Sequence, residues 1–162
     1  MNLIKCIIST KCNVGSLIAR LTLGLVMFPH GAQKALGWFG GYGFHGTMDF
    51  FTGMMHIPAA LAVLAIAAEF LGSLGLIVGL FSRIAAFGIA VNMVVAIATV
   101  HASNGFFMNW YGKQAGEGFE YHLLAIGLAL IVIIQGGGAL SLDKILSGCE
   151  KNSCCKGHGS AE

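Results

Sequence analysis

The sequence predicts an all-α integral membrane protein, a four-helix transmembrane bundle with both termini in the cytoplasm. Three observations lead to this fold class. Of the 162 residues, 56% are apolar and 10% are charged, whereas an ordinary soluble domain carries about 25% charged residues. A helix that crosses the hydrocarbon core of a bilayer needs about 20 mostly apolar residues, and four segments of the chain come close to this length. The basic residues gather on one side of the bundle that these segments would form.

The same composition excludes several classes of protein. The formal net charge is +2, and its charges are too few and too scattered to indicate a nucleic-acid partner. The chain has no room for both a membrane bundle and a separate soluble enzyme. We therefore expect one membrane domain over residues 14–146, embedded in the lipid bilayer of the plasma (inner) membrane as a multi-pass protein.

The first span is predicted at about 14–36, after a cytoplasmic N-terminal segment of residues 1–13. Lysines before this apolar run imitate the charged start of a signal peptide. However, Arg20 breaks the run, and Pro29 stands where a small-residue cleavage site would lie. We therefore expect the segment to be retained as a helix.

Three further spans are predicted at about 57–81, 84–101 and 121–140. The second span is the clearest and carries one charge, Glu69. The third is uncharged up to His101, and the fourth contains three consecutive glycines near its end. Residues 37–56, rich in glycine and aromatic residues, should form an outer loop or a re-entrant cap. Residues 147–162 are polar and rich in cysteine, and are predicted to be a disordered cytoplasmic tail.

Orientation follows from the basic residues, because cytoplasmic loops are enriched in lysine and arginine. With a cytoplasmic amino terminus, the inner side holds Lys5, Lys11, Arg20, Arg83, Lys144, Lys151 and Lys156, and the outer side holds only Lys34 and Lys113. All five cysteines then fall in the cytoplasmic tails, where reducing conditions disfavour a structural disulfide.

Polar side chains inside the spans indicate a site, because a charge near the bilayer centre costs about 3 kcal/mol. Glu69 lies at the middle of its span, and His30 and Lys34 share one helix face through their i, i+4 spacing. A histidine or an asparagine should lie nearer to Glu69 than Arg20 does, because Arg20 is close to the inner end of its helix. Alternatively, the Arg20 side chain could simply extend to the inner headgroups. The candidate catalytic residues are Glu69, His30 and His101, and the candidate ligand-binding residues are His30, Lys34, Glu69, Asn92, His101 and Glu120.

Each of these residues also has a structural explanation, which the sequence leaves open. Glu69 could be a protonated acid that is hydrogen-bonded between helices, and His30 and Lys34 could be ordinary interfacial residues. His122 joins His101 and Glu120 at the outer ends of the third and fourth helices. Because so many polar groups converge on the outer half of the bundle, we expect a pocket there with Glu69 as its floor.

Short motifs, in order along the chain, resemble the DoxX family, and the resemblance covers about residues 16–146. In this sequence they read Ala19-Arg20-Leu21, Phe28-Pro29-His30-Gly31-Ala32-Gln33-Lys34, Glu69-Phe70-Leu71-Gly72, Ser82-Arg83-Ile84-Ala85-Ala86, Asn92-Met93, Val100-His101, Asn104-Gly105-Phe106-Phe107, Gly118-Phe119-Glu120-Tyr121 and Gly136-Gly137-Gly138-Ala139-Leu140-Ser141-Leu142-Asp143. The family pattern often has proline and arginine where this chain has Gly137 and Ala139, a departure that concerns the end of the fourth helix.

The resemblance implies a four-helix bundle of the inner membrane with a redox role. The family takes its name from a subunit of an archaeal thiosulfate:quinone oxidoreductase, and other members are linked to thiol homeostasis and oxidative stress in membrane complexes. The residues that match the family's polar pattern are Arg20, His30, Lys34, Glu69, Arg83, His101 and Glu120. We therefore expect a quinone-linked redox subunit in thiol or sulfur metabolism or oxidative-stress defence, with a partner redox protein.

A quinone head group is a flat ring whose two carbonyl oxygens become hydroxyls on reduction, so its site needs hydrogen-bond donors and a proton route. His30 or His101 would donate to a carbonyl oxygen, and Glu69 would pass protons toward the outer face. The sequence shows no CxxCH haem-attachment motif and no outer cysteine pair. A haem is therefore not expected, and the electrons would come from a partner.

Two other functions stay open. The chain could be a small membrane transporter or a metal-handling protein, in which Glu69 and the outer histidines form a cation path. The tail would then offer soft ligands for Cu(I) or Zn(II) at Cys149, Cys154, Cys155 and His158, although their spacing fits no standard zinc finger. Alternatively, the chain could be a non-catalytic scaffold that holds redox enzymes at the membrane. A homo-oligomer is compatible with every one of these functions.

Overall fold

The computed structural model describes Thr10 and residues 13–147, and every regular element in this part of the chain is helical. The long helices are α1 (Val14–Leu36), α3 (Ala59–Val78), α4 (Ser82–Ala96) and α5 (Glu120–Gln135). Short helices follow α1 and α5, namely α2 (Gly43–Asp49) and α6 (Leu142–Leu146). A π-helical turn continues α2 over Phe50–Met54, and another continues α4 over Ile97–His101.

The predicted all-α membrane class is confirmed. α1, α3 and the continuous stretch Ser82–Asn104 are each long and apolar enough to cross a membrane, and α5 is a shorter apolar helix. Leu64 and Leu124 are 63% and 71% exposed on the outside of the bundle, as expected for a surface that faces lipid. The cytoplasmic position of both termini stays a prediction. All five cysteines, His158, and nearly all of segments 1–13 and 147–162 lie outside the described residues.

Local sequence explains where the first spans begin and end. α1 begins after Asn13, whose side-chain oxygen accepts a hydrogen bond from Gly15 N at 2.7 Å, as a helix N-cap does. It ends at Gly37, which has a φ of 75° and so adopts the left-handed conformation that terminates helices. α3 starts after Pro58 and ends at Gly79, also with a φ of 75°. Both ends of the second span therefore lie inside its predicted bounds.

The predicted fourth span, 121–140, is too long. α5 ends at Gln135 because Gly136 leaves the helix with a φ of 84° and a ψ of −169°, a conformation that glycine adopts readily. The chain then turns back against the start of α1, where Gly138 N donates to Thr10 Oγ1 at 2.7 Å and Ala139 N donates to a backbone carbonyl. The glycine run is therefore a packed loop.

The four long helices enclose one core. α1 packs against α3 and α5, and α4 packs against the same two helices. The core side chains Leu23, Met27, Leu76, Ile89 and Val132 are each 2% exposed or less. We call the end of the bundle that carries α2 and residues 102–119 the loop end, and the end where α1 begins and α5 finishes the terminal end.

Arg20 is buried at the terminal end, so the alternative in which its side chain extends to the lipid headgroups is wrong. The residue is 1% exposed. Its guanidinium donates to the carbonyls of Gly137 and Ile77 at 2.9 Å, of Leu140 at 3.1 Å, and of Leu76. Helix ends leave carbonyls without intrahelical partners, and the five N–H groups of arginine can satisfy several of them at once. Arg20 thereby joins α1 to the end of α3 and to the loop after α5.

Asp143 fixes the neighbouring turn between α3 and α4. Its carboxylate accepts hydrogen bonds from Phe81 N at 2.7 Å and Ser82 N at 2.8 Å, which are amides at the start of α4 that lack helical partners. Its own backbone N donates to Gly79 O at 2.8 Å. At the terminal end, the hydrogen bonds of Arg20 and Asp143 thus hold the helices and the glycine loop together. The cavity described below lies in the opposite half of the bundle.

Candidate functional site

A cavity of about 340 Å³ lies in the loop half of the bundle, between α1, α3, α4 and α5. Its volume is at the lower end of the range for small-molecule sites. Most of the wall is apolar, and it includes methionines and residues of both π-helical turns. Such turns often occur at functional sites. The polar side chains that line it include His30, Lys34, Glu69, Asn92, His101, Glu117, Tyr121 and His122.

Glu69 and Lys34 form an ion pair where α1 meets α3, with 2.5 Å between Oε2 and Nζ. The Glu69 side chain is 9% exposed and that of Lys34 is 29% exposed. That a lysine is the partner of Glu69 was not predicted from the sequence. The sequence does predict that a histidine or an asparagine lies nearer to the acid than Arg20. His30 and Asn92 share the cavity with the acid, whereas Arg20 does not line it.

The pairing follows from close helix contact, because a Cβ on Gly31 would lie 2.6 Å from Phe70 Cα. This approach of the backbones brings Lys34, one turn further along α1, to the acid.

Asn92 and His30 reach the same cavity from α4 and α1. Asn92 Nδ2 donates to Ala65 O at 2.7 Å, which joins α4 to α3 and leaves the amide oxygen and one N–H for other partners. The His30 ring lies beside that of Tyr121, with 6.1 Å between the ring centroids. Tyr121 Oη donates to Met27 Sδ at 3.4 Å, a weak acceptor that a ligand oxygen could replace.

His101 and His122 form a pair of rings where α4 meets α5, with 4.1 Å between their centroids. His101 Nδ1 lies 2.8 Å from Glu117 O. His122 is 7% exposed, and its Nδ1 is buried without a hydrogen-bond partner among the described residues. In the sequence analysis, His122 counts among the polar groups of the expected pocket but not among the candidate catalytic or ligand-binding residues. Helical spacing could have found it, because the buried face of α5 consists of His122, Ala125, Ala129 and Val132.

Glu120, a predicted ligand-binding residue, does not line the cavity. Its Oε1 accepts hydrogen bonds from Met108 N at 2.8 Å and from Trp110 Nε1 at 3.3 Å. Its carboxylate therefore holds the loop of residues 102–119 on the start of α5. Glu117, which is not among the predicted site residues, lines the cavity and supplies the carbonyl that contacts His101.

Within the described residues, no group of three or more histidine, cysteine, aspartate or glutamate side chains is placed to hold a metal ion. The predicted metal ligands of the tail, Cys149, Cys154, Cys155 and His158, lie outside those residues. The cavity itself is an apolar chamber with one ionisable pair at α1 and α3 and another at α4 and α5. Such a chamber can bind a small apolar ring with polar substituents and exchange protons with it.

Comparison with known proteins places the chain in a family. Residues 15–102, more than half of the chain, match the family model described as DoxX. The chain belongs to the DoxX family. Over 139 residues it is 30% identical to a protein of Bacillus subtilis (strain 168) named "Putative oxidoreductase CatD", and the match covers 86% of this chain and 92% of that protein. No solved structure shows significant similarity to the chain.

The DoxX match covers part of the cavity. It includes α1, α3 and α4, and therefore the side chains of His30, Lys34, Glu69, Asn92 and His101. Glu117, Tyr121 and His122 complete the cavity from beyond the matched residues. In this DoxX protein, α5 and the loop before it thus supply the last wall of the site.

Proposed function

We propose that this DoxX-family protein is a quinone-linked redox subunit of the plasma membrane, which exchanges electrons with a partner protein in thiol or sulfur metabolism or oxidative-stress defence. The proposal rests on the apolar cavity, which is lined by ionisable residues from α1, α3, α5 and the π-helical turn that continues α4. The relative from Bacillus subtilis is named as an oxidoreductase, which is consistent with redox chemistry. The metabolic context rests on the family resemblance.

The residues present fit a quinone head group. The cavity of about 340 Å³ offers room for one substituted ring, and Phe50, Phe51 and Met93 belong to its apolar wall. Beside this apolar wall, the Asn92 amide and the Lys34 ammonium each make one hydrogen bond and keep further donors or acceptors for a ligand. A flat ring with two oxygens supplies both the apolar surface and the polar contacts that this chamber can satisfy.

A bound quinone would supply two-electron chemistry in which each carbonyl oxygen gains a proton when the ring is reduced. Lys34 Nζ donates to Glu69 Oε2, and because an ammonium has three N–H groups it can also donate to a ligand oxygen. Glu69 can take up or release a proton beside that oxygen, and His30 and His101 can do so from the other helices. The mostly apolar walls keep bulk water away from the ring.

We place the loop end of the bundle on the outer side of the membrane. This orientation rests on the bias of the basic residues toward the opposite side. The cavity then lies in the outer half of the bilayer, and the protons are exchanged with the outer compartment. The partner that exchanges electrons is expected to meet the loop end.

The proposal can be tested by measuring quinone in lipid extracts of the protein purified in native-lipid nanodiscs. Ala96 lines the cavity, whereas Ala98, two residues further along, is exposed and does not line it. Ala96→Phe should fill the cavity and remove the quinone, and Ala98→Phe should leave it bound. Equal quinone in both variants, or none in the native protein, would contradict the proposal.

The same preparation separates the alternative functions. Stoichiometric metal that disappears when residues 148–162 are removed, with no quinone present, would support a metal-handling protein. Neither quinone nor metal in the native protein would support a scaffold.

A further inference from the structure

The histidine pair between α4 and α5 indicates which redox form of the quinone head group the cavity would bind. The rings of His101 and His122 have centroids 4.1 Å apart and planes at 45°, and both residues line the cavity. In a neutral imidazole one nitrogen carries a hydrogen and the other accepts one. In each of these two histidines, the surroundings of Nδ1 indicate which nitrogen carries the hydrogen.

His101, which lines the cavity, has its hydrogen-bond acceptor on Nε2. Its Nδ1 lies 2.8 Å from Glu117 O, and because a carbonyl oxygen can only accept, Nδ1 carries the hydrogen. That carbonyl is held in place, since it also accepts from Asn104 Nδ2 at 3.2 Å, while Glu117 Oε2 accepts from Asn109 N at 2.7 Å. The nitrogen left for a ligand, Nε2, therefore has a free lone pair.

His122 presents a hydrogen-bond donor. Its Nδ1 is buried and has no partner among the described residues. Among backbone groups, a buried N–H without an acceptor is rarer than a buried acceptor without a donor. By the same reasoning, we assign the hydrogen of His122 to Nε2. Because Nδ1 is covered by the protein, Nε2 is the nitrogen with which His122 can contact a ligand in the cavity.

We infer that the two rings form a subsite for a hydroxyl group, so that the cavity binds a hydroquinone more tightly than the corresponding quinone. A hydroxyl oxygen accepts from His122 Nε2 and donates its hydrogen to His101 Nε2. A quinone carbonyl can only accept, so its lone pairs would oppose the lone pair of His101 Nε2. Lys34 and Glu69 offer the same combination of donor and acceptor where α1 meets α3. The inference rests on the proposed function, because it names the redox form of that ligand.

The hydrogen positions can be measured directly, without any ligand or activity. Nitrogen chemical shifts of protein labelled with nitrogen-15 histidine distinguish the two neutral forms, and His101→Asn and His122→Gln identify the two signals. We expect the hydrogen on Nδ1 of His101 and on Nε2 of His122. The same form in both residues would overturn the inference.

Binding then tests the preference, by anaerobic titration of the protein in nanodiscs with tetramethyl-benzoquinone and its hydroquinone. The native protein should bind the hydroquinone about tenfold more tightly, the worth of about one hydrogen bond. His101→Asn keeps a donor toward Glu117 O but has no acceptor at the position of Nε2, and His122→Phe removes the donor, so both should lose the preference. His122→Gln keeps a donor near the Nε2 position and should retain it. His45→Asn, exposed and outside the cavity, is the matched control and should behave as the native protein.

The outcomes separate the inference from the function on which it rests. Equal affinities in the native protein, or a preference that survives His101→Asn, would overturn the hydroxyl subsite while leaving quinone binding intact. Binding of neither form would overturn the proposed function and the subsite together.

Discussion

Arg20 and Glu69 are both charged residues within the spans, and the protein satisfies them in different ways. Arg20 is 1% exposed and donates to carbonyls that belong to helix ends and to the glycine loop. Glu69 pairs with one side chain, and that partner, Lys34, is 29% exposed. A charge held by several backbone groups is fixed in place, whereas a pair of side chains at a cavity wall can separate. This difference assigns a structural role to Arg20 and leaves Glu69 available for chemistry.

Lys34→Met should destabilise the bundle more than the double change Lys34→Met with Glu69→Leu. The single change leaves a buried carboxylate without its partner, which costs about 3 kcal/mol, whereas replacing both members of a pair by apolar residues is often neutral. Thermal unfolding in nanodiscs measures the difference, and the exposed Lys113→Met is the control. If the single variant is as stable as the double variant, the pair does not satisfy the charge of Glu69.

Glu69→Gln should keep an unfolding temperature close to the native one but lose about a hundredfold in activity, in a quinone-linked or thiol-stress assay. Glutamine retains the shape of the acid and can still contact Lys34, but it cannot exchange a proton. Full activity of this variant would reduce Glu69 to a structural acid and leave His30 and His101 to act alone.

The contact between α1 and α3 positions the site at the level of whole helices. A Cβ on Gly31 would lie 2.6 Å from Phe70 Cα, so Gly31→Ala should push the helices apart, separate Lys34 from Glu69 and lower the unfolding temperature. Gly127→Ala is the control, because a Cβ there would meet no atom within 4 Å and alanine favours a helix by about 0.5–1 kcal/mol over glycine. Similar unfolding temperatures for the two variants would show that α1 and α3 can separate without cost.

The helices differ in how far the sequence could predict them. The bounds of α1 agree with the predicted 14–36, because an Asn13 cap and the glycine at position 37 are local signals. The end of α5 does not agree with the prediction, since the apolar run continues through the glycines. Contacts with residues far away in the sequence, among them Thr10, Asn13 and Arg20, hold residues 136–140 as a loop.

The site shows the same division between local and distant information. The midspan position of Glu69 is visible in the sequence, and so is the shared face of His30 and Lys34. The pairing of Lys34 with Glu69 depends on the distance between α1 and α3, and the spacing of residues along one helix does not predict that distance. The position of Glu120 at a helix start, beside other polar residues, predicts a ligand-binding role. However, its carboxylate accepts hydrogen bonds from the loop before α5.

The orientation of the whole molecule can be tested with reporter fusions. Because the basic residues favour the side of the terminal end, a fusion at Ser160 should report the cytoplasm, and fusions within residues 40–50 should report the outer compartment. Alkaline phosphatase and green fluorescent protein are suitable reporters, since each is active on one side only. The reverse result would place the cavity, with its proton exchange, in the cytoplasmic half of the bilayer.

The hydrogen bonds of Arg20 also have a consequence for how the chain is made. The ribosome synthesises their acceptors 56 and 57 residues later in α3, and 117 and 120 residues later in the glycine loop. While α1 is the only inserted helix, its guanidinium has none of these carbonyls and must remain near water at the membrane surface. Two of these carbonyls become available with α3, and the other two only once the glycine loop has left the ribosome. A nascent chain that stops before Gly136 would therefore hold, in its first helix, an arginine that lacks two of its four carbonyl acceptors.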